Sequence, residues 1–174
     1  MSLRLPVGER DHIHGPSEAR VTLVEYGDYE CPHCGAAFPV LKRVEQLLGD
    51  ELRFVFRNFP LSEMHPHALQ AAEAAEAAAA QGKFWNMHDL IFDNQRALGR
   101  AHLSDYAGRL GLDLPRFERD LDTHTYLKHI EEDFNSGVRS GVNGTPTLFI
   151  NGARYEDEVT VPLLVAALKG APVR

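Results

Sequence analysis

The chain has 174 residues and a mass of 19.4 kDa; 44% are hydrophobic, 25% are charged, and 18 basic against 25 acidic residues leave a net charge of −7. That length suits one domain, enlarged at most by an insertion, with enough burial to fold without disulfide staples. The 14 glycines and 10 prolines are too few for a collagen-like fibre or a disordered chain, and an acidic chain without a basic block is a poor binder of phosphate backbones, so no nucleic-acid partner is expected.

In chain order, residues 1–20 are polar and carry Pro6, Gly8, Gly15 and Pro16, which reads as an extended arm holding His12 and His14. No apolar run follows a basic start, and no stretch approaches the roughly 18–20 apolar residues of a membrane helix. As written, the sequence predicts a soluble, cytoplasmic protein without membrane insertion, or a periplasmic or extracytoplasmic one if a leader has been removed. Val21–Tyr26 reads as a strand covered on both faces. Cys31-Pro32-His33-Cys34 then opens a helix to about Leu48, with Phe38, Leu41, Val44, Leu47 and Leu48 at helical spacing and Gly49 as its stop. Leu52–Arg57 is the next strand, so strand, helix and strand imply a parallel pair with a crossover.

A helical tract follows. His67–Gln81 is helical by composition, since residues 71–80 hold eight alanines and two glutamates. Lys83 to about Gln95 is amphipathic through Phe84, Met87, His88, Ile91 and Phe92. Shorter helices are predicted over Leu103–Leu110 and Pro115–Leu121, and Leu127, Ile130, Phe134 and Val138 mark another that ends near Gly141. Thr147–Ile150 and Ala153–Tyr155 flank Asn151-Gly152, a strong hairpin signal. A last helix starts at Thr160 as N-cap and carries Leu163, Leu164, Ala167 and Leu168. The outline is an α/β chain, β-α-β, a helical insert, then β-β-α.

The chemistry concentrates at the two cysteines, Cys31 and Cys34, the only thiols of the chain. Thiol–disulfide exchange needs a thiolate that attacks and a second thiol that resolves the mixed disulfide. A Cys-x-x-Cys at a helix start supplies both: Cys31 is predicted at the exposed N-terminus, where backbone N–H groups stabilise its anion, and Cys34 lies one turn inward. Pro32 suits the first turn. His33 can offer charge or a donor to Cys31, whereas Asp28 and Glu30 oppose its ionisation. The competing reading is half of a zinc site, completed by histidines such as His124 and His129; the long helical stretch between the two halves argues against it.

Glu25 interrupts an apolar strand six residues before Cys31. Either it is a buried proton acceptor for Cys34, or it faces water or pairs with a lysine at the strand end. Gly144-Thr145-Pro146-Thr147 precedes the hairpin; a cis bond at Pro146 would present the backbone of Thr145 to an extended peptide, and a plain loop terminator is the alternative. His65-Pro66-His67 reads as the lead-in to the alanine-rich helix rather than a metal pair, His88 as a core histidine, and Phe84, Trp85 and Phe92 as core. No phosphate loop, nucleotide fingerprint or Ser-His-Asp arrangement is present.

Val24–Gly35 (VEYGDYECPHCG) resembles the active-site segment of the DsbA-like thiol–disulfide oxidoreductases, and Gly141–Gly152 (GVNGTPTLFING) resembles their cis-proline loop and hairpin. With the helical insert between them, the resemblance covers about Gly15 to Leu168. It implies a thioredoxin-like fold with residues 1–62 and 141–174 in the thioredoxin-like domain and 63–140 in an inserted helical domain. It also implies Cys31 as nucleophile, Cys34 as resolving thiol, Pro32 and His33 between them, His33 as tuner of Cys31, Glu25 as the buried acid, and Thr145 and Pro146 against the substrate. No cofactor and no metal are implied; the partners would be protein or peptide thiols and disulfides and a further redox protein that recycles the pair. The missing leader and the acidic Glu156-Asp157-Glu158 depart from the periplasmic members, so in a reducing compartment reduction, isomerisation or redox sensing is favoured. A glutathione-using transferase or isomerase of the same fold remains the enzymatic alternative, and a non-catalytic zinc protein the non-enzymatic one.

Overall fold

The β-branched and aromatic runs build one five-stranded sheet in a computed structural model that describes residues 1–172. Its order is β1 (His12–His14), β3 (Leu52–Asn58), β2 (Val21–Gly27), β4 (Thr147–Ile150) and β5 (Ala153–Arg154). β2 and β3 run parallel, with Val21 opposite Leu52 and Glu25 opposite Phe56, joined by helix α1 (Pro32–Leu48) as the crossover. β4 lies antiparallel on the other side of β2, with Leu148 opposite Glu25.

The period-2 alternation of β2 sorts its residues onto two faces. Val21 and Leu23 join Phe54, Phe56, Leu148, α1 and the insert helices in the larger apolar core, which also holds Cys31 and Cys34. Val24 and Tyr26 join Val55, Phe59, Val142 and Phe149 in a smaller one on the opposite face. By this parity Glu25 is on the cysteine face.

Between β3 and β4 come α2 (Ala68–Ala79), α3 (Phe84–Asp93), α4 (Arg100–Arg109), α5 (Leu114–Asp122) and α6 (Leu127–Arg139); α7 (Val161–Gly170) closes the chain against α1. Each predicted helix is present within a few residues. The alanines of α2 allow close approach to α3 and α5, with Ala71, Ala74, Ala75, Ala77 and Ala78 fully buried. Asp113 caps α5, its carboxylate accepting from the backbone N–H of Arg116 at 3.0 Å. Thr160 stands at the N-cap of α7 but makes no side-chain cap bond, and β5 is one residue shorter than the expected strand.

Three expectations are corrected. Leu47 and Val138 lie on outer helix faces, 48% and 52% exposed; α1 is held by Leu41, Val44 and Leu48, and α6 by Ile130, Asp133 and Gly137 instead. The N-terminal arm is not free: His12–His14 form β1, antiparallel to β3. The reason is Arg57, fully buried at the end of β3, which donates to Asp11 Oδ1 and Oδ2 at 2.7 and 3.0 Å, to the carbonyls of Leu5 and Pro6, and to the Tyr26 hydroxyl. A buried guanidinium needs such partners, and the arm supplies them.

Candidate active site

β2 ends at Gly27, where glycine is required because a Cβ would lie 2.4 Å from the Phe56 ring and 3.2 Å from Glu25 Oε1. The loop that follows is organised by Asp28, which is 1% exposed. Its Oδ1 accepts from the backbone N–H groups of Glu30 and Cys31 at 2.8 and 3.1 Å. Its Oδ2 accepts from Leu61 N–H and pairs with His65 Nδ1, both at 2.8 Å. Asp28 therefore shapes the loop by accepting from its N–H groups. His65 is raised above its ordinary value: burial works against this, and the hydrogen bond and charge of Asp28, with the charges of Cys31 and Glu30, outweigh it. His67, at the N-cap of α2, pairs with Glu30 at 2.8 Å, so His65-Pro66-His67 does lead into α2 and clamps it to the loop.

Cys31 is the N-cap of α1, with Pro32 in the first turn. Its thiol is 4% exposed, not open to solvent as its place at a helix start suggests, because Thr145 covers it: Sγ stands 3.4 Å from the Thr145 carbonyl. The Thr145–Pro146 peptide bond is cis. A cleft of about 440 Å³ lies beside the start of α1 and the proline loop, lined by His33, Ala36, Ala37, Thr145, Pro146 and Val159, with neither cysteine in its wall. A neighbouring cavity of about 390 Å³ shares Pro146 and Val159 and adds Arg154, Tyr155, Glu156 and Asp157.

The two thiols are pushed apart in acidity. Cys31 falls to about 5, chiefly through a hydrogen bond from Cys34; burial opposes this, and Thr145 and the backbone N–H groups of Cys34 and His33 add to it. Thr145 Oγ1 is buried without a partner beside the thiol, and a thiolate gives it one. The His33 side chain is exposed; its part in lowering Cys31 is played by its backbone N–H, as the helix-start geometry requires. Cys34, fully buried, is held well above its ordinary value by burial, by the Cys31 bond and by the charge of Glu25, against a 3.4 Å hydrogen bond from Asp28 N–H.

Glu25 is 2% exposed, and its Oε1 has no hydrogen-bond partner. Burial, then the charges of Glu45 and Cys31, raise it to about 8. The lysine-paired and water-facing alternatives are thereby removed. Gln95, at the end of the α3 segment, escaped the sequence reading: its Nε2 donates to the carbonyls of Tyr29 and Cys31 at 2.8 and 3.0 Å, bracing the loop from the insert. The available signal was Gly35, since a Cβ there would stand 1.9 Å from Gln95 Oε1. His88 is a core histidine, bonded to the Tyr29 hydroxyl at 3.0 Å and kept neutral by burial. His124 and His129 do not converge on the cysteines: they contact Glu73 and Glu76.

A cysteine pair at the start of a crossover helix, facing a proline loop, with five helices inserted between β3 and β4, defines a thioredoxin-like fold of the DsbA-like build. The chain belongs to the thioredoxin family, matching it over residues 8–170. Among solved structures it is similar to a thioredoxin-like oxidoreductase from Silicibacter pomeroyi, with 26% identity, a TM-score of 0.82 and coverage of 93% and 92% of the two chains. BdbD from Bacillus subtilis has the same fold at 21% identity, with a TM-score of 0.83 over 92% of each chain. So does α-DsbA1 from Wolbachia pipientis at 20% identity, with a TM-score of 0.79 over 96% and 92%. A protein named Na(+)/H(+) antiporter NhaA 1 from Salinispora arenicola is 48% identical over 98% of this chain, and one named Na(+)/H(+) antiporter NhaA from Herminiimonas arsenicoxydans is 44% identical. The chain spans about a quarter of the length of these relatives, 26% and 28%. No helix among the described residues is long and apolar enough to cross a membrane.

Proposed function

We propose that this chain is a thiol–disulfide oxidoreductase that exchanges the Cys31–Cys34 disulfide with thiols and disulfides of proteins or peptides. The observation that carries the reading is the asymmetry of the pair: one thiol at a helix start with N–H donors and a free hydroxyl beside it, the other buried over an unpartnered carboxyl. In the reducing direction the Cys31 thiolate attacks a substrate disulfide, forming a mixed disulfide and releasing one substrate thiolate. Glu25 takes the proton of Cys34, whose sulfur attacks Cys31; the internal disulfide forms and the second substrate thiolate leaves, two electrons having passed to the substrate. The reverse sequence oxidises a dithiol. Thr145, whose carbonyl stands 3.4 Å from Cys31 Sγ, and Pro146 border a cleft in which an extended peptide would lie beside Cys31. Glu156 and Asp157 extend that border with negative charge, which favours substrates carrying lysine or arginine near the reacting cysteine.

The oxidoreductase named among the similar structures supports this reading, and a second redox protein would recycle the pair. The antiporter name belongs to proteins of which this chain covers 26–28%; the matched stretch holds the redox pair. Zinc held by the cysteines is disfavoured, since neither belongs to a cluster of three metal-ligating side chains among the described residues. Thiolate absorbance titrated against pH tests the proposal together with insulin reduction and oxidation of a dithiol peptide. We expect an ionisation near 5, loss of both activities in Cys31→Ser, and a trapped mixed disulfide in Cys34→Ser. A Cys31 ionising near the ordinary ~8.5 would overturn it, as would glutathione conjugation without disulfide exchange.

A further inference from the structure

Outside the cysteine site, three elements distant in sequence bring ligand atoms together. His12 on β1, Glu76 on α2 and His129 on α6 each place one such atom within 4.8 Å of the other two. His12 Nε2 lies 2.9 Å from Glu76 Oε2, a hydrogen bond in length. His129 Nε2 stands 3.7 Å from Glu76 Oε1 and 3.7 Å from Asp133 Oδ2. Those separations exceed hydrogen-bond length. They are close to the spacing of neighbouring donors around a tetrahedral zinc ion: bonds of about 2.0–2.2 Å put the corners about 3.3–3.6 Å apart.

The surroundings orient the donors. The His12 ring stacks on Phe84, with centroids 3.6 Å apart and planes 9° from parallel. Asn58 Nδ2 donates to Glu76 Oε1 at 2.7 Å and to Asp133 Oδ2 at 3.3 Å, and its backbone N–H donates to Asp133 Oδ2 at 3.0 Å. Outer hydrogen bonds of this kind fix ligand carboxylates in metal sites. Both carboxylates are buried while the two imidazoles are only half-buried, which leaves a way in from solvent. Among the described residues, Arg10 donates to Asp133 Oδ1 at 2.7 Å and so offsets one of the two carboxylate charges. Two imidazoles with carboxylate oxygen suit zinc and its borderline neighbours better than calcium or magnesium, which take all-oxygen sets.

We propose that His12, Glu76 and His129 form a zinc(II) site, with a water as fourth ligand, that ties the edge strand β1 to the helical insert. It uses neither cysteine and is independent of the redox reading.

The test uses full-length, metal-free protein oxidised to the Cys31–Cys34 disulfide, so that no thiol competes. Zinc(II) is titrated by calorimetry, cobalt(II) by visible spectroscopy, and melting is followed with and without zinc. We expect one equivalent of zinc, tetrahedral cobalt bands without a thiolate transition, and a higher melting temperature with metal. His12→Gln and His129→Gln should each weaken binding at least about 100-fold, more than the loss of an outer-shell partner does. His124→Gln, a histidine that contacts Glu73 instead, should leave binding unchanged. His129 is half-buried on a helix surface, so its variant reads the site even if His12→Gln fails to fold. Absence of binding, equal weakening by His124→Gln, or undiminished affinity in His129→Gln overturns the proposal and leaves an ion-pair cluster only.

Discussion

Between about pH 5 and the high value of Cys34, the reduced pair carries one proton rather than two. Its reduction potential should therefore fall by about 30 mV per pH unit above pH 5 and by about 59 mV below it, measurable by equilibration with glutathione. Glu25 titrates in the opposite sense. Its folded value, about 8, lies above the unfolded 4.5, so the folded state holds an extra proton between them. The stability this gives is complete below 4.5 and is lost as pH rises through 8, a change of up to about 5 kcal/mol. Glu25→Gln should abolish that slope in denaturant melts of the same redox state. It should also slow resolution of the mixed disulfide by on the order of 100-fold near pH 7, although loss of the Glu25 charge removes one of the influences that raise Cys34. An unchanged resolution rate would leave Glu25 without a role in proton transfer.

At the scale of elements, the arm of residues 1–14 was the least legible part of the sequence. Its glycines, prolines and charges predict an extended arm, and nothing local reveals that Arg57 near the end of an apolar strand needs Asp11 as a partner. Removing that partner leaves a buried charge uncompensated: Asp11→Ala should cost about 3–5 kcal/mol. For a chain of this length that lowers the melting temperature by about 6–20 °C; a calorimetric shift within error would mean that the carbonyls of Leu5 and Pro6 suffice. The helices and the hairpin were legible because spacing, alanine content and Asn151-Gly152 act locally. Cys31, Cys34, Glu25 and Pro146 could be read because each breaks a local pattern. The hold of Asp28 on Leu61 and of Gln95 on Tyr29 could not, since these bonds join groups 33 and 66 residues apart. The exposure of Leu47 and Val138 is illegible for a related reason: helical periodicity gives a stripe but not where it ends.

Across the whole molecule, the larger core is continuous from the sheet through α1 into the insert: Leu23, Cys34 and Leu41 belong to the same cluster as Leu103 and Phe117. A shared core couples the parts, so thermal unfolding should be a single transition with calorimetric and van't Hoff enthalpies that agree. Two resolved transitions would show that residues 63–140 unfold by themselves. The arm adds a last property at this scale. Its β1 covers the outer side of β3, while Leu3 N–H bonds the Gly152 carbonyl at 2.8 Å and Ser2 bridges Ala153 beside β5. One short segment thus occupies both margins of the sheet. Bare margins invite strand-to-strand association between molecules, so the arm that neutralises Arg57 also blunts both edges against the pairing of one sheet with another.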